Sequence, residues 1–297
     1  MHVKYIVNKT FSALLETGRV SNLPTVWSNL LLGFVIAGAC DIAALVLLCL
    51  AGSLLYVGGC FLGDARDVAF DIKHRPSRPI PSGVLSERGV WLAGAAILIT
   101  GALGFFFLSP AISTFFYGAF PLFLVILCYA LFHKVSPAIG LPLIGACRGL
   151  LLWSAYLCFS SSPFQAPLHI LLCCCGLTLY TICFASVARF ESSDKKITFS
   201  ALLKILMLCC AFLPLLFTWK SDVQLLPSLL AVLLYSLWLL FAFRKLPEYK
   251  GAYVSACLSG FSLLDCVYIS AFGFPSTLIC LALFILAHIL QKISPAT

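Results

Sequence analysis

Apolar runs of about twenty residues, separated by short polar breaks, fill this chain from residue 22 almost to its end. A helix rising 1.5 Å per residue needs roughly 20 such residues to cross a bilayer. That ruler predicts spans over 22–40, 42–62, 87–108, 112–133, 136–160, 167–188, 199–219, 224–244, 251–272 and 274–291. Residues 1–21 break the pattern. Lys4, Lys9, Glu16 and Arg19 are spread through them, with no apolar run closing on a small-residue cleavage site. They predict an N-terminal interfacial amphipathic helix rather than a signal peptide. No low-complexity linker interrupts the rest, so a single transmembrane domain is expected over 22–297.

Composition strengthens that reading. Of 297 residues 62% are hydrophobic and 10% charged, and the mean hydropathy is +1.06, so the class expected is a polytopic all-α membrane bundle. The net charge of +8 raises the question of nucleic acid. The bases, however, sit in short loops, where they read as orientation signals and leave nucleic acid out as a partner. Loops after even-numbered spans carry Arg66, Lys73, Arg75, Arg78 and Arg88, then Lys134, then Arg189, Lys195 and Lys196, then Arg244, Lys245 and Lys250, with Lys292 last; odd-numbered loops offer only Lys220. Both termini are thereby expected in the cytoplasm, across the inner membrane if the cell is bacterial. The fifteen cysteines lie nearly all inside apolar runs, including Cys173-Cys174-Cys175, and read as small hydrophobes.

The densest polar cluster runs from Gly63-Asp64-Ala65-Arg66-Asp67 through Asp71 to His74-Arg75-Pro76-Ser77-Arg78-Pro79-Ile80-Pro81-Ser82-Gly83. On a continued helix Asp64, Asp67 and Asp71 fall within about 60° of one face. Three like charges on one face call for a cation, and hard oxygen ligands favour Mg²⁺ or Ca²⁺ over Zn²⁺. Arg75 and Arg78, just downstream, are suited to fork onto phosphate. Together they read as a metal-diphosphate clamp, against the alternative of a solvated loop of mutual salt bridges.

This stretch, D-x-x-D-x-x-x-D followed by R-P-x-R-P-I-P-S-G, resembles the first signature of the UbiA family of intramembrane prenyltransferases, with Gly63 where that family usually has Asn. The resemblance implies a bundle of nine helices, so nine or ten spans are expected here. It also implies a second acidic motif after the sixth span. The corresponding run is Phe184-Ala185-Ser186-Val187-Ala188-Arg189-Phe190-Glu191-Ser192-Ser193-Asp194, where alanine replaces the first carboxylate and Glu191 and Asp194 remain as acids. Glu191 is the candidate fourth metal ligand. The Arg-containing fifth span and altered second motif are also similar to divergent EboC-type relatives.

Polar residues inside spans need partners. Arg148 lies roughly 18 Å and Asp265 roughly 21 Å from the cytoplasmic ends of their helices. An ion pair between them is one expectation; the other is that Arg148 faces a cavity and contacts diphosphate. By the resemblance, Asn22 and Asn29 near the first span are candidates for the acceptor side, or else bridge helices. Trp27 reads as packing, and His133 and His288 as interfacial.

The function these features imply is an Mg²⁺-dependent integral-membrane prenyltransferase. Asp64, Asp67 and Asp71 would be catalytic and metal-binding, with Arg75, Arg78 and Arg148 on the diphosphate. The partners would be an isoprenyl diphosphate, an aromatic or other lipophilic acceptor, and membrane lipid. The alternative is a non-catalytic UbiA-like scaffold that binds or transports a lipid or isoprenoid.

Overall fold

The computed structural model describes residues 2–190, 200–212, 225–246 and 249–293. Chain order runs α1 (His2–Thr17), a 3-10 turn (Val20–Asn22), α2 (Leu23–Ile36), α3 (Ile42–Arg66), α4 (Val68–His74), α5 (Glu87–Leu108), α6 (Ile112–Tyr117), α7 (Ala119–Phe132) and α8 (Pro137–Leu157). It continues through α9 (Leu168–Ala188), α10 (Ala201–Cys209), α11 (Leu225–Lys245), α12 (Lys250–Ile269) and α13 (Phe274–Ile293). Among the described residues eight helices are long and apolar enough to cross a membrane, with α6 and α7 forming one of them across a break at Gly118. The first expected span is the shorter Val20–Ile36, and only the start of the seventh falls within the described residues, as α10.

Local signals start these helices where the sequence changes character. The Asp41 carboxylate accepts from the Ala43 amide and opens α3, and the Ser86 hydroxyl accepts from the Gly89 amide and opens α5. Each satisfies an amide that a helix N-terminus leaves orphaned. Within the bilayer apolar faces gain little from meeting one another, so association relies on close packing and polar contacts. Helices α3 and α5 illustrate the first. A Cβ on Gly58 would lie 2.7 Å from the Leu98 amide nitrogen, and one on Gly101 the same distance from that of Leu55. Only glycine permits so close an approach. Phenolic hydroxyls illustrate the second, since Tyr180 donates to the Cys257 carbonyl at 2.8 Å and Tyr268 to that of Cys210 at 2.7 Å.

Two helices are enclosed by the rest. Helix α12 is buried on nearly every side, and α2 packs against α3, α8, α12 and α13. A membrane helix walled in by protein has room for polar side chains that lipid would reject. Those of α2 and α12 face each other. Helix α1 packs on α3, at the end where α3 runs into α4. All fifteen cysteines are free.

Candidate functional site

Helix α3 carries Ser53, Tyr56, Cys60 and Asp64 at steps of three or four residues, which puts them along one stripe. At Asp67 the helix breaks, with φ −86° and ψ −1°, and α4 resumes at Val68. That break separates the three aspartates that an unbroken helix would have aligned. Asp64 and Asp71 remain together, and Asp67 turns away toward the end of α7.

Arg78 is the link between the first two. Its Nη1 lies 3.3 Å from Asp64 Oδ1 and 3.2 Å from Asp71 Oδ2, so two carboxylates converge on a single guanidinium nitrogen. The loop that brings it back is folded on itself: the Pro79 carbonyl accepts from the Val84 and Leu85 amides, and Gly83 takes φ +75° to complete the turn. Asp71 is 3% and Asp64 8% exposed, so both acids are largely withdrawn from water and need these partners.

Asp64 has a second partner from the N-terminal segment. Arg19 Nη2 donates to its Oδ1 at 2.9 Å, from a backbone in the left-handed region, φ 45° and ψ 45°, which a non-glycine residue rarely adopts. Burial is the largest single influence and opposes the Arg19 charge, but the Asp64 carboxylate together with the nearby Cys60, Tyr56 and Tyr129 outweighs it and the pKa is raised. Asp67 instead meets Lys134 Nζ at 2.9 Å and His133 Nε2 at 3.3 Å. Burial pushes its carboxyl up, yet those two neighbours prevail and hold it below the usual carboxylate range. His133 is therefore not a simple interfacial residue.

The donor set suits a hard cation. The Arg78 nitrogen marks a point within reach of two carboxylate oxygens, and Mg²⁺ commonly takes one or two carboxylates and completes its shell with water and phosphate oxygens. Among the described residues, no three His, Cys, Asp or Glu side chains form a ready-made cage. Glu191 and Asp194 lie outside the described residues, so the second motif is described only to Phe190, with the Arg189 guanidinium 4.4 Å from the Phe190 ring centre. Arg75 is half-buried beside the cluster, its backbone amide donates to the Asp71 carbonyl at 2.7 Å, and among the described residues no ion pair joins its side chain to the aspartates.

Arg148 is engaged elsewhere. Its Nη1 donates to the Thr25 carbonyl and to Asn29 Oδ1, each at 3.1 Å, and its Nη2 donates to Thr25 Oγ1 at 2.9 Å. The guanidinium carbon stands 4.2 Å from the Phe261 ring centre. Asn29 Nδ2 in turn donates to both oxygens of Asp265, at 2.7 and 2.8 Å, and Ser28 donates to the same carboxylate at 2.5 Å. The expected pairing of Arg148 with Asp265 is thus indirect, relayed through one carboxamide. Asn22, the other acceptor-side candidate, donates to Tyr56 at 3.1 Å and accepts from Gln291 at 2.9 Å. Trp27 donates to Ser53 at 2.9 Å.

Several partners had escaped the sequence reading: Arg19 on Asp64, Lys134 and His133 on Asp67, Tyr56 and Gln291 on Asn22. The polar stripe Ser53-Tyr56-Cys60-Asp64 was the available signal for Tyr56. Nothing in local spacing pointed to the others.

The UbiA prenyltransferase family matches residues 22–264, and the chain belongs to that family. A digeranylgeranylglyceryl phosphate synthase of Methanoculleus marisnigri is 33% identical over 90 residues, covering 30% of this chain and 32% of the relative. The chain thus matches about a third of the length of such a curated relative. Among solved structures, a UbiA homologue from Archaeoglobus fulgidus bound to DMAPP and Mg²⁺ has a TM-score of 0.63 at 12% identity, over 94% of this chain and 99% of that one. The apo structure of a UbiA homologue from Aeropyrum pernix K1 gives 0.61 at 14% identity, over 85% and 94%. At these identities the likeness establishes the fold. The protein is an integral membrane helical bundle of the UbiA family.

Proposed function

We propose that this chain transfers an isoprenyl group from an isoprenyl diphosphate to a lipophilic acceptor, with Mg²⁺ held at the Asp64–Asp71 cleft. The observation that carries the reading is the convergence of those two buried carboxylates on one Arg78 nitrogen at the end of α3. Asp64 and Asp71 would be direct ligands, with Asp67 across the break and Glu191 as further acids. Arg78, once released from the carboxylates, and Arg75 would fork onto phosphate oxygens. A bound divalent ion would act as a Lewis acid on the departing diphosphate. The allylic C–O bond breaks with both electrons going to the diphosphate, and the acceptor's nucleophile then bonds to the allylic carbon and gives up a proton. The apolar helices around the cleft keep water from the cation.

The family match supports the reaction class, and the DMAPP and Mg²⁺ bound to the Archaeoglobus fulgidus homologue support the donor and the metal. The digeranylgeranylglyceryl phosphate synthase relative favours an isoprenoid-lipid acceptor over an aromatic one. Arg148 fits a structural role better than a diphosphate contact, because Thr25 and Asn29 already hold it. We take residues 22–297 as one catalytic domain preceded by the 1–21 segment, with both termini and the aspartates on the cytoplasmic side, on the strength of the Lys and Arg distribution.

One observation favours a second reading, a scaffold that binds an isoprenoid or lipid without transfer. Each aspartate is already neutralised by the chain's own cations, and Ala188 stands in the second motif. Purified protein in lipid, given geranylgeranyl diphosphate, Mg²⁺ and a panel of lipid and aromatic acceptors, separates the two. A prenylated product by mass spectrometry, lost with EDTA and in Asp71→Asn, supports transfer. Donor binding without product supports the scaffold.

A further inference from the structure

The cleft that holds Asp64, Asp71 and Arg78 has a wall the motif does not supply. It is Thr17, the last residue of α1. Its side chain is 1% exposed, and its Oγ1 is one of the few buried polar atoms without a hydrogen-bond partner among the described residues. Pro79, Ile80 and Pro81 complete the lining, and the walls leave no room for a water between them. A hydroxyl stripped of water and left unpaired is unfavourable, and substitution by a group of the same shape without the hydroxyl ordinarily relieves the strain. Nothing in the closed cleft repays Thr17 for its burial.

The same hydroxyl gains a use when Arg78 leaves. Arg78 bridges the two carboxylates, and Thr17 lines the same cleft, so a ligand that takes the place of the guanidinium would lie in the cleft Thr17 lines. Two residues beyond, the left-handed Arg19 is already drawn to Asp64, so the α1 terminus is fixed against the cluster. Gly18 between them sits where a Cβ would come within 3.3 Å of Val57 on α3, which keeps the segment close to that helix.

We infer that Thr17 is a phosphate ligand: its Oγ1 donates to a phosphate oxygen of a head group bound at the Asp64–Asp71 cleft, so that α1 forms part of the binding site. The inference rests on the proposed function for the nature of the ligand. The phosphate belongs either to the donor's diphosphate or to the acceptor's head group, and the two sources are separable.

The test compares wild type with Thr17→Val and Thr17→Ser in nanodiscs, measuring affinity for pyrophosphate and for glycerol 1-phosphate with Mg²⁺ present, and thermal stability without ligand. Thr17→Val is expected to bind one of the two probes about tenfold more weakly, as for the loss of one hydrogen bond to a charged group. Thr17→Ser restores it. The probe affected names the source. In the absence of ligand, Thr17→Val is expected to melt at the same temperature as wild type or higher, the opposite direction from its effect on binding. A hydroxyl with a purely structural role would lower stability and leave affinity alone, and that result overturns the inference, as does unchanged affinity for both probes. If valine packs badly, Thr17→Ala gives the same comparison. Wild type that binds neither probe defeats the proposed function itself, and this inference with it.

Discussion

Arg148 reaches Asp265 through Asn29, whose Oδ1 accepts from the arginine at 3.1 Å while its Nδ2 donates to the carboxylate at 2.7 and 2.8 Å. Only one orientation of the carboxamide satisfies both ends, oxygen toward the cation and nitrogen toward the anion. The three residues come from α8, α2 and α12, all buried, so one side chain holds three helices in register. Asn29 acts as the spacer between two charges that lipid would not tolerate singly.

It follows that the network should be more sensitive to single than to paired changes. Asn29→Ala is expected to lower stability by about 3 kcal/mol, because both charges lose their relay. Arg148→Met combined with Asp265→Leu should cost less than either alone. Unfolding in mixed micelles, arranged as a double-mutant cycle, measures this. Additive losses would show that the relay couples nothing.

The aspartate cluster makes a different prediction. Asp64, Asp67 and Asp71 face Arg19, Arg78 and Lys134, three charges against three. A divalent ion alone would leave an excess of positive charge in a site largely closed to water, whereas an ion arriving with diphosphate roughly restores the balance. Metal binding should therefore depend on diphosphate. In Mn²⁺ electron paramagnetic resonance titrations, wild type is expected to bind the ion weakly alone and at least tenfold more tightly with pyrophosphate. Arg78→Gln should strengthen binding of Mn²⁺ alone. Equal affinities with and without pyrophosphate would refute the charge argument.

Glycines offer a contrast within one helix. Gly58 meets the backbone of Leu98, so Gly58→Ala is expected to destabilise by roughly 1–3 kcal/mol through overpacking. A Cβ on Gly63 meets nothing within 4 Å. Gly63→Ala should therefore be neutral or stabilise by up to about 1 kcal/mol, the helix-propensity difference. Gly63→Asn, which restores the residue usual in the family, should fold equally well. Thermal melts of the three variants check the order.

How much of this could be read in the sequence depends on the distance over which each feature is encoded. The spans were legible because twenty consecutive apolar residues have one economical placement, and the aspartates because their spacing lies within two helical turns. The break at Asp67 was not, since Arg66-Asp67-Val68 contains neither proline nor glycine to announce it. Counter-ions were the largest omission. Arg19 lies 45 residues from Asp64 and His133 lies 66 from Asp67, and their meeting is decided by helix packing rather than by any local pattern. Arg148 and Asp265 were recognised as needing partners, but Asn29 as the intermediary depends on α2 passing between α8 and α12.

In the proposed function Asp64 and Asp71 seat a divalent ion together with diphosphate. Calorimetric titration of nanodisc-embedded protein with a non-reactive thiolo analogue of geranylgeranyl diphosphate tests it most directly. Saturable binding is expected with Mg²⁺, lost on adding EDTA and weakened at least tenfold in Asp71→Asn. Binding of the same strength in EDTA, or in the Asp71→Asn variant, would contradict the account.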